Sequence, residues 1–240
     1  MSWDISLIFF ILTVFIPWRG RVKIKKLLAQ PHVSSMERLT LYAATIAFQW
    51  LLAALVAWRA WAHGYTAVQL GLTAPSRLKL FVVGFVGGVT IMSLQWLNLR
   101  RVGRMPIDKR GPLVAIADRI FPKTSLEFLP YFALAITAGL CEEFLYRGFT
   151  MAVLAHVGFP VWAVVVVSSV MFGLAHLYQG RSGFFGTLLI GTVLGIVRIA
   201  YDSLVPVIFW HSALDIVAGV AGPRYLLSRG APAEGEANTA

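Results

Sequence analysis

Seven apolar runs divide the 240-residue chain, and they leave room for few architectures. They cover residues 5–18, 39–61, 78–99, 126–157, 161–178, 183–200 and 203–220. A helix needs about 20 apolar residues to cross the hydrocarbon of a bilayer. Within that hydrocarbon every backbone N–H and C=O must be paired inside the protein, so only helices and closed barrels span it. A barrel strand would alternate in period two, whereas these runs are continuous. The expected fold is an all-α polytopic transmembrane helix bundle of seven to eight spans, the eighth being short or re-entrant. Composition agrees: 58% of residues are hydrophobic and 13% charged, against about 25% charged in a soluble domain.

The net charge of +10 has an equally plain origin. Lys and Arg gather in residues 19–26 and 100–123, between apolar runs, as the positive-inside rule requires. No nucleic-acid motif or soluble basic domain accompanies them, so no nucleic-acid partner is expected. Asp4 precedes the first run, while Arg19, Arg21, Lys23, Lys25 and Lys26 follow it. A cleaved signal peptide has the opposite order, so the run reads as a retained anchor. The expected protein is integral to a bacterial cell membrane, with its N-terminus outside and its C-terminus cytoplasmic.

The sequence divides into helices with basic cytoplasmic loops over 1–126, a second helical half over 127–221, and a polar tail, expected to be disordered, over 222–240. All belong to one integrated membrane domain. A short interfacial helix is expected over 113–121. Gly84, Gly87 and Gly88 permit close helix approach, and Gly191 with Gly195 forms a G-x-x-x-G packing face. Cys141 is the one cysteine, which excludes an intrachain disulfide and is expected simply to pack.

Against this background the run 139–148 stands out, because Glu142, Glu143 and Arg147 lie within it. An ionisable side chain at the bilayer centre costs about 2.5–3.5 kcal/mol on insertion scales. These three must therefore face a protein interior or a wet cavity. Later spans add His176, then His211 and Asp215; Asp202 falls at a span edge and needs no special role. Gly158-Phe159-Pro160 breaks the helix after Glu142, and Glu142 and His176 lie about 25 Å and about 24 Å from that turn at 1.5 Å per residue. On antiparallel helices they share a depth, nearer the cytoplasmic face. His211 and Asp215, spaced i, i+4, share one helix face.

Adjacent helical residues point about 100° apart, so Glu142 and Glu143 aim at different places. Arg147 is i+4 from Glu143, which predicts a Glu143–Arg147 pair and leaves Glu142 free as a base. A buried carboxylate beside a histidine can hold and deprotonate water. A second histidine with a hydrogen-bonding neighbour can stabilise a tetrahedral oxyanion. Together these describe peptide hydrolysis with no cofactor. Zinc bound by the same Glu and His residues is the second choice, since no H-E-x-x-H occurs. Neither G-x-S-x-G nor G-x-G-D is present. A non-enzymatic transporter or scaffold is the competing class, although no inverted repeat supports it.

The patterns Glu142-Glu143-x-x-x-Arg147, Phe172-x-x-x-His176 and His211-x-x-x-Asp215 together resemble the CPBP family of intramembrane proteases, which includes type 2 CAAX prenyl proteases and bacteriocin-processing or immunity homologues. The resemblance covers about residues 127–220, with three motifs in order, each on its own span. It implies a glutamic intramembrane protease, of a family once called metalloproteases, acting on a membrane-associated protein or peptide. It implies that Glu142 and His176 hold the catalytic water, and that His211 and residue 215 form the oxyanion site. The family pattern often ends in Asn, a donor, where this chain has Asp215. An ionised Asp cannot donate, so Asp215 is either protonated or an acceptor that orients His211. Prenylated CAAX proteins and secreted or sorted peptides are both open as substrates.

Overall fold

The computed structural model describes residues 2–106, 109–110 and 113–227. Among them every regular element is helical. Eight helices follow in order: α1 Trp3–Leu28, α2 Ser35–Ala62, α3 Arg77–Gly103, α4 Leu113–Ile120, α5 Ser125–His156, α6 Val161–Ala175, α7 Gly180–Tyr201 and α8 Val205–Leu226. Six are long and apolar enough to cross a membrane, and α6 is apolar but only 15 residues long. The all-α polytopic bundle is thus the observed fold.

Several boundaries differ from the sequence expectation. The first helix does not stop at residue 18; it runs to Leu28 and carries the basic residues on its second half. Lys23 there donates to Thr45 Oγ1 of α2, at 3.1 Å. The last helix continues to Leu226, taking in the first five residues of the expected polar tail, and 228–240 lie outside the described residues. Most consequentially, α6 ends at Ala175, so His176 caps it instead of lying within it. A 3₁₀ turn over Leu177–Gln179 follows, and Gly180 takes φ +83° to start α7. The short helix expected near 113–121 is α4.

Two helix pairs form the frame. α8 lies along α3, where Trp210 Nε1 donates to the Val83 carbonyl at 3.1 Å. A Cβ at Gly87 would collide with the Trp210 indole, so the absent side chain sets this spacing. The second pair is α2 with α5. At the end where both begin, Arg38 makes a bidentate pair with Glu127 (Nε–Oε2 2.9 Å, Nη2–Oε1 2.8 Å), and both side chains are buried. The planar guanidinium matches the two carboxylate oxygens, which fixes the register of the helices as well as their contact. Tyr42 packs edge-on to Tyr131 one turn further along. At the other end, the connector between α2 and α3 folds against the α7–α8 turn. There the Leu204 N–H donates to the Gly71 carbonyl and Ser203 Oγ to the Thr73 carbonyl, each at 2.8 Å. Asp202 sits in that turn with an exposed side chain, as expected of a span edge.

The largest apolar core surrounds the middle of α5 and includes Cys141, Phe144, Tyr146, Phe149, Phe172 and Val207. Here α5 departs from α-helical geometry: Phe144–Thr150 forms a π-helical segment, and all seven residues are buried. Thr150 Oγ1 returns a hydrogen bond to the Leu145 carbonyl at 2.9 Å. Such wide turns recur at functional sites, and this one begins immediately after Glu143.

Candidate active site

The two adjacent glutamates of α5 diverge as helix geometry requires. Glu143 is fully buried and its Oε1 receives Arg147 Nη1 at 2.9 Å, the i, i+4 pair expected from sequence. The same oxygen lies 2.7 Å from His211 Nδ1 on α8. That second contact was not foreseen: Glu143 joins two helices and holds one nitrogen of a histidine. With Nδ1–H directed at a carboxylate, the other ring nitrogen of His211 faces outward, and Asp215 Oδ2 stands 3.7 Å from it. This is beyond hydrogen-bond length, so Asp215 neighbours His211 Nε2 without being bonded to it. Asp215 is also the more open of the two, with its side chain 40% exposed against 7% for His211.

Glu142 points elsewhere. Its Oε1 accepts from Gln49 Nε2 of α2 at 2.7 Å, and its Oε2 lies 3.9 Å from His176 Nε2. His176 Nδ1 is 2.9 Å from the Phe172 carbonyl. A carbonyl only accepts, so Nδ1 carries the proton and Nε2 presents its lone pair to Glu142. The position of His176 beyond the helix end makes this possible, because the ring folds back onto the last turn while its far edge looks across to α5. Glu142 and His176 keep about a fifth of their side-chain surface accessible, whereas Glu143 and Arg147 keep none. The site is a sealed ionic base beneath a more open pair.

Phe172 connects the parts. Its ring supports the Arg147 guanidinium at 4.1 Å, a cation–π contact, and it packs against the rings of His176, His211 and Tyr146 at centroid distances of 4.7, 5.6 and 5.3 Å. Gly191 of α7 leaves room for the same guanidinium: a Cβ there would stand 2.8 Å from Arg147 Nη2. The G-x-x-x-G face of α7 does pack on α6, but Gly191 also seats a buried charge.

All six residues singled out in the sequence therefore converge, from α5, the end of α6, and α8. Gln49 joins them from the first half, where only a lone amide in an apolar helix hinted at it. Buried polar atoms without a hydrogen-bond partner among the described residues cluster here too: Gln49 Oε1, Glu143 Oε2, the Tyr146 hydroxyl, Arg147 Nε and Nη2, and Ser212 Oγ. Among the described residues no three His, Cys, Asp or Glu side chains are grouped so as to hold a metal ion.

Residues 124–217 match a family model described as type II CAAX prenyl endopeptidase Rce1-like. The matched segment holds Glu142, Glu143, Arg147, His176, His211 and Asp215, and leaves Gln49 outside. No curated protein and no solved structure matches the chain.

Proposed function

We propose that this chain, which over residues 124–217 belongs to the Rce1-like family of type II CAAX endopeptidases and is an intramembrane protease, cleaves its substrate with a water activated by Glu142 and His176. One observation carries the reading: Glu142 Oε2 and His176 Nε2 face each other at 3.9 Å, with the far side of each group tied down. The separation is too long for a direct hydrogen bond, and it suits two groups that address one small nucleophile from either side. Both present acceptors, so a water between them donates one proton to each and turns a lone pair towards a carbonyl.

In the proposed reaction Glu142 takes one proton as the water oxygen bonds to the scissile carbonyl carbon. The carbonyl π pair moves onto its oxygen. His211, protonated on both nitrogens with Nδ1–H on Glu143, donates from Nε2–H to that oxyanion, with Asp215 alongside. Collapse re-forms the C=O and breaks the C–N bond, and Glu142 returns its proton to the leaving amine. Arg147 and Phe172 touch none of the reacting atoms; they hold Glu143 and the two imidazoles in place.

The substrate is proposed to be a membrane-associated protein or peptide. The protein is proposed to lie in a bacterial cell membrane with the N-terminus outside and the C-terminus cytoplasmic, which sets the basic half of α1 and the Arg100–Arg104 end of α3 on the cytoplasmic side. A cleavage assay in proteoliposomes tests the mechanism. Glu142→Ala is expected to abolish cleavage and to keep the wild-type thermal unfolding midpoint in detergent. Full activity in that variant would sink the mechanism. Reporters with and without a prenyl group, compared in the same vesicles, separate a CAAX substrate from a sorted or secreted peptide.

A further inference from the structure

Among the described residues, Gln49 is the one group in the site that the second half of the chain does not supply. Its side-chain amide donates to Glu142 Oε1 at 2.7 Å. That bond satisfies the carboxylate oxygen remote from His176 and leaves Oε2 as the one aimed at the imidazole. The other end of the amide is unusual: Gln49 Oε1 is buried and has no hydrogen-bond partner among the described residues. A glutamine that served the helix interface would satisfy both ends, because a buried polar atom left unpaired costs about 1–3 kcal/mol. This side chain satisfies only the end that meets Glu142. Its helix is in turn fixed to α5, below by the buried Arg38–Glu127 pair and beside it by Trp50 Nε1 donating to Thr137 Oγ1 at 3.3 Å.

We propose that Gln49 is a positioning residue for hydrolysis: by binding one oxygen of Glu142 it holds the carboxylate in the rotamer that directs the other oxygen at His176. The first half of the protein thus completes a site whose reacting groups all lie in the second half. This rests on the assignment of Glu142 as the base.

The test uses the full chain in proteoliposomes, with kcat and KM measured separately. Gln49→Met keeps the length of the side chain and removes the donor; Gln49→Glu keeps the shape and donates only when protonated. For Gln49→Met, kcat is expected to fall about tenfold to a hundredfold, as loss of a hydrogen bond to a charged group implies, with KM within about twofold on the same reasoning. For Gln49→Glu, activity relative to wild type at the same pH is expected to recover as the pH falls, because the introduced acid then donates again. A packing role would not produce that recovery. The proposal is overturned if Gln49→Met keeps a wild-type kcat, or if the defect of Gln49→Glu is independent of pH. A fully active Glu142→Ala variant would instead overturn the reading on which it rests, whatever the Gln49 variants do.

Discussion

Glu143 Oε1 lies 2.7 Å from His211 Nδ1, and through that contact a residue that seems merely structural in the sequence governs the orientation of one in the site. The same oxygen serves Arg147. Helix α5 therefore carries two carboxylates of different kinds: one sealed and doubly engaged, the other accessible and held from α2.

Loss of the sealed carboxylate should be felt first as instability. Glu143→Gln leaves Arg147 as a buried cation without its counter-charge, and breaking such a pair costs about 3–5 kcal/mol. The expected result is a clear fall in the thermal midpoint in detergent, together with lost cleavage. Replacing Arg147 with Met in the same chain should recover part of the midpoint and none of the cleavage, since His211 stays without its anchor.

The Glu143–Arg147 pair could be foreseen because i, i+4 spacing alone brings those side chains together. So could the meeting of Glu142 with His176, because the turn at 158–160 equalises their depths. Besides the Glu143–His211 contact, two relationships were hidden. Gln49 is 93 residues from Glu142, and nothing local marks which face of its apolar helix looks inward. The position of His176 depends on where α6 stops. That is decided by Gly180 at φ +83° and a short 3₁₀ turn, while the apolar run itself continues to Tyr178.

His176 should be separable from the ionic base. It is bonded to the backbone of its own helix turn and not to Glu143 or Arg147, so His176→Ala is expected to leave the melting midpoint near wild type. Its kcat should fall by about 10²–10⁴, the range for a positioned acid–base group. A midpoint drop comparable with that of Glu143→Gln would contradict the division into base and upper pair.

The two close-approach glycines offer a matched comparison. Gly87→Ala forces a methyl against Trp210 and should destabilise by about 1–3 kcal/mol, as overpacking does, while the folded fraction retains wild-type kcat. Gly191→Ala presses on Arg147 Nη2. It should lower kcat as well, because displacement of the guanidinium passes through Glu143 to His211. Equal catalytic effects of the two substitutions would count against that route.

Asp215 is set beside His211 Nε2 without a bond to it. Asp215→Asn gives an amide that can donate to an oxyanion, and cleavage by this variant is expected to stay at or above the wild-type rate. A tenfold loss would show that the carboxylate itself is required.

Chelation is expected to leave cleavage unchanged, since the described His and carboxylate groups do not assemble into a set of metal ligands. Loss of activity in a chelator, restored by zinc, would overturn this expectation.

The link between Glu143 and His211 also has a temporal meaning. Synthesis proceeds from α5 towards α8, and the imidazole reaches the ribosomal exit 68 residues after its carboxylate. Until then Glu143 has only Arg147 to pair with, and Arg147 has Glu143 and the Phe172 ring. A nascent chain that already contains Glu142 and His176 still lacks His211, the group proposed to steady the oxyanion. On the proposed mechanism, the set of side chains is complete only once the final crossing has docked.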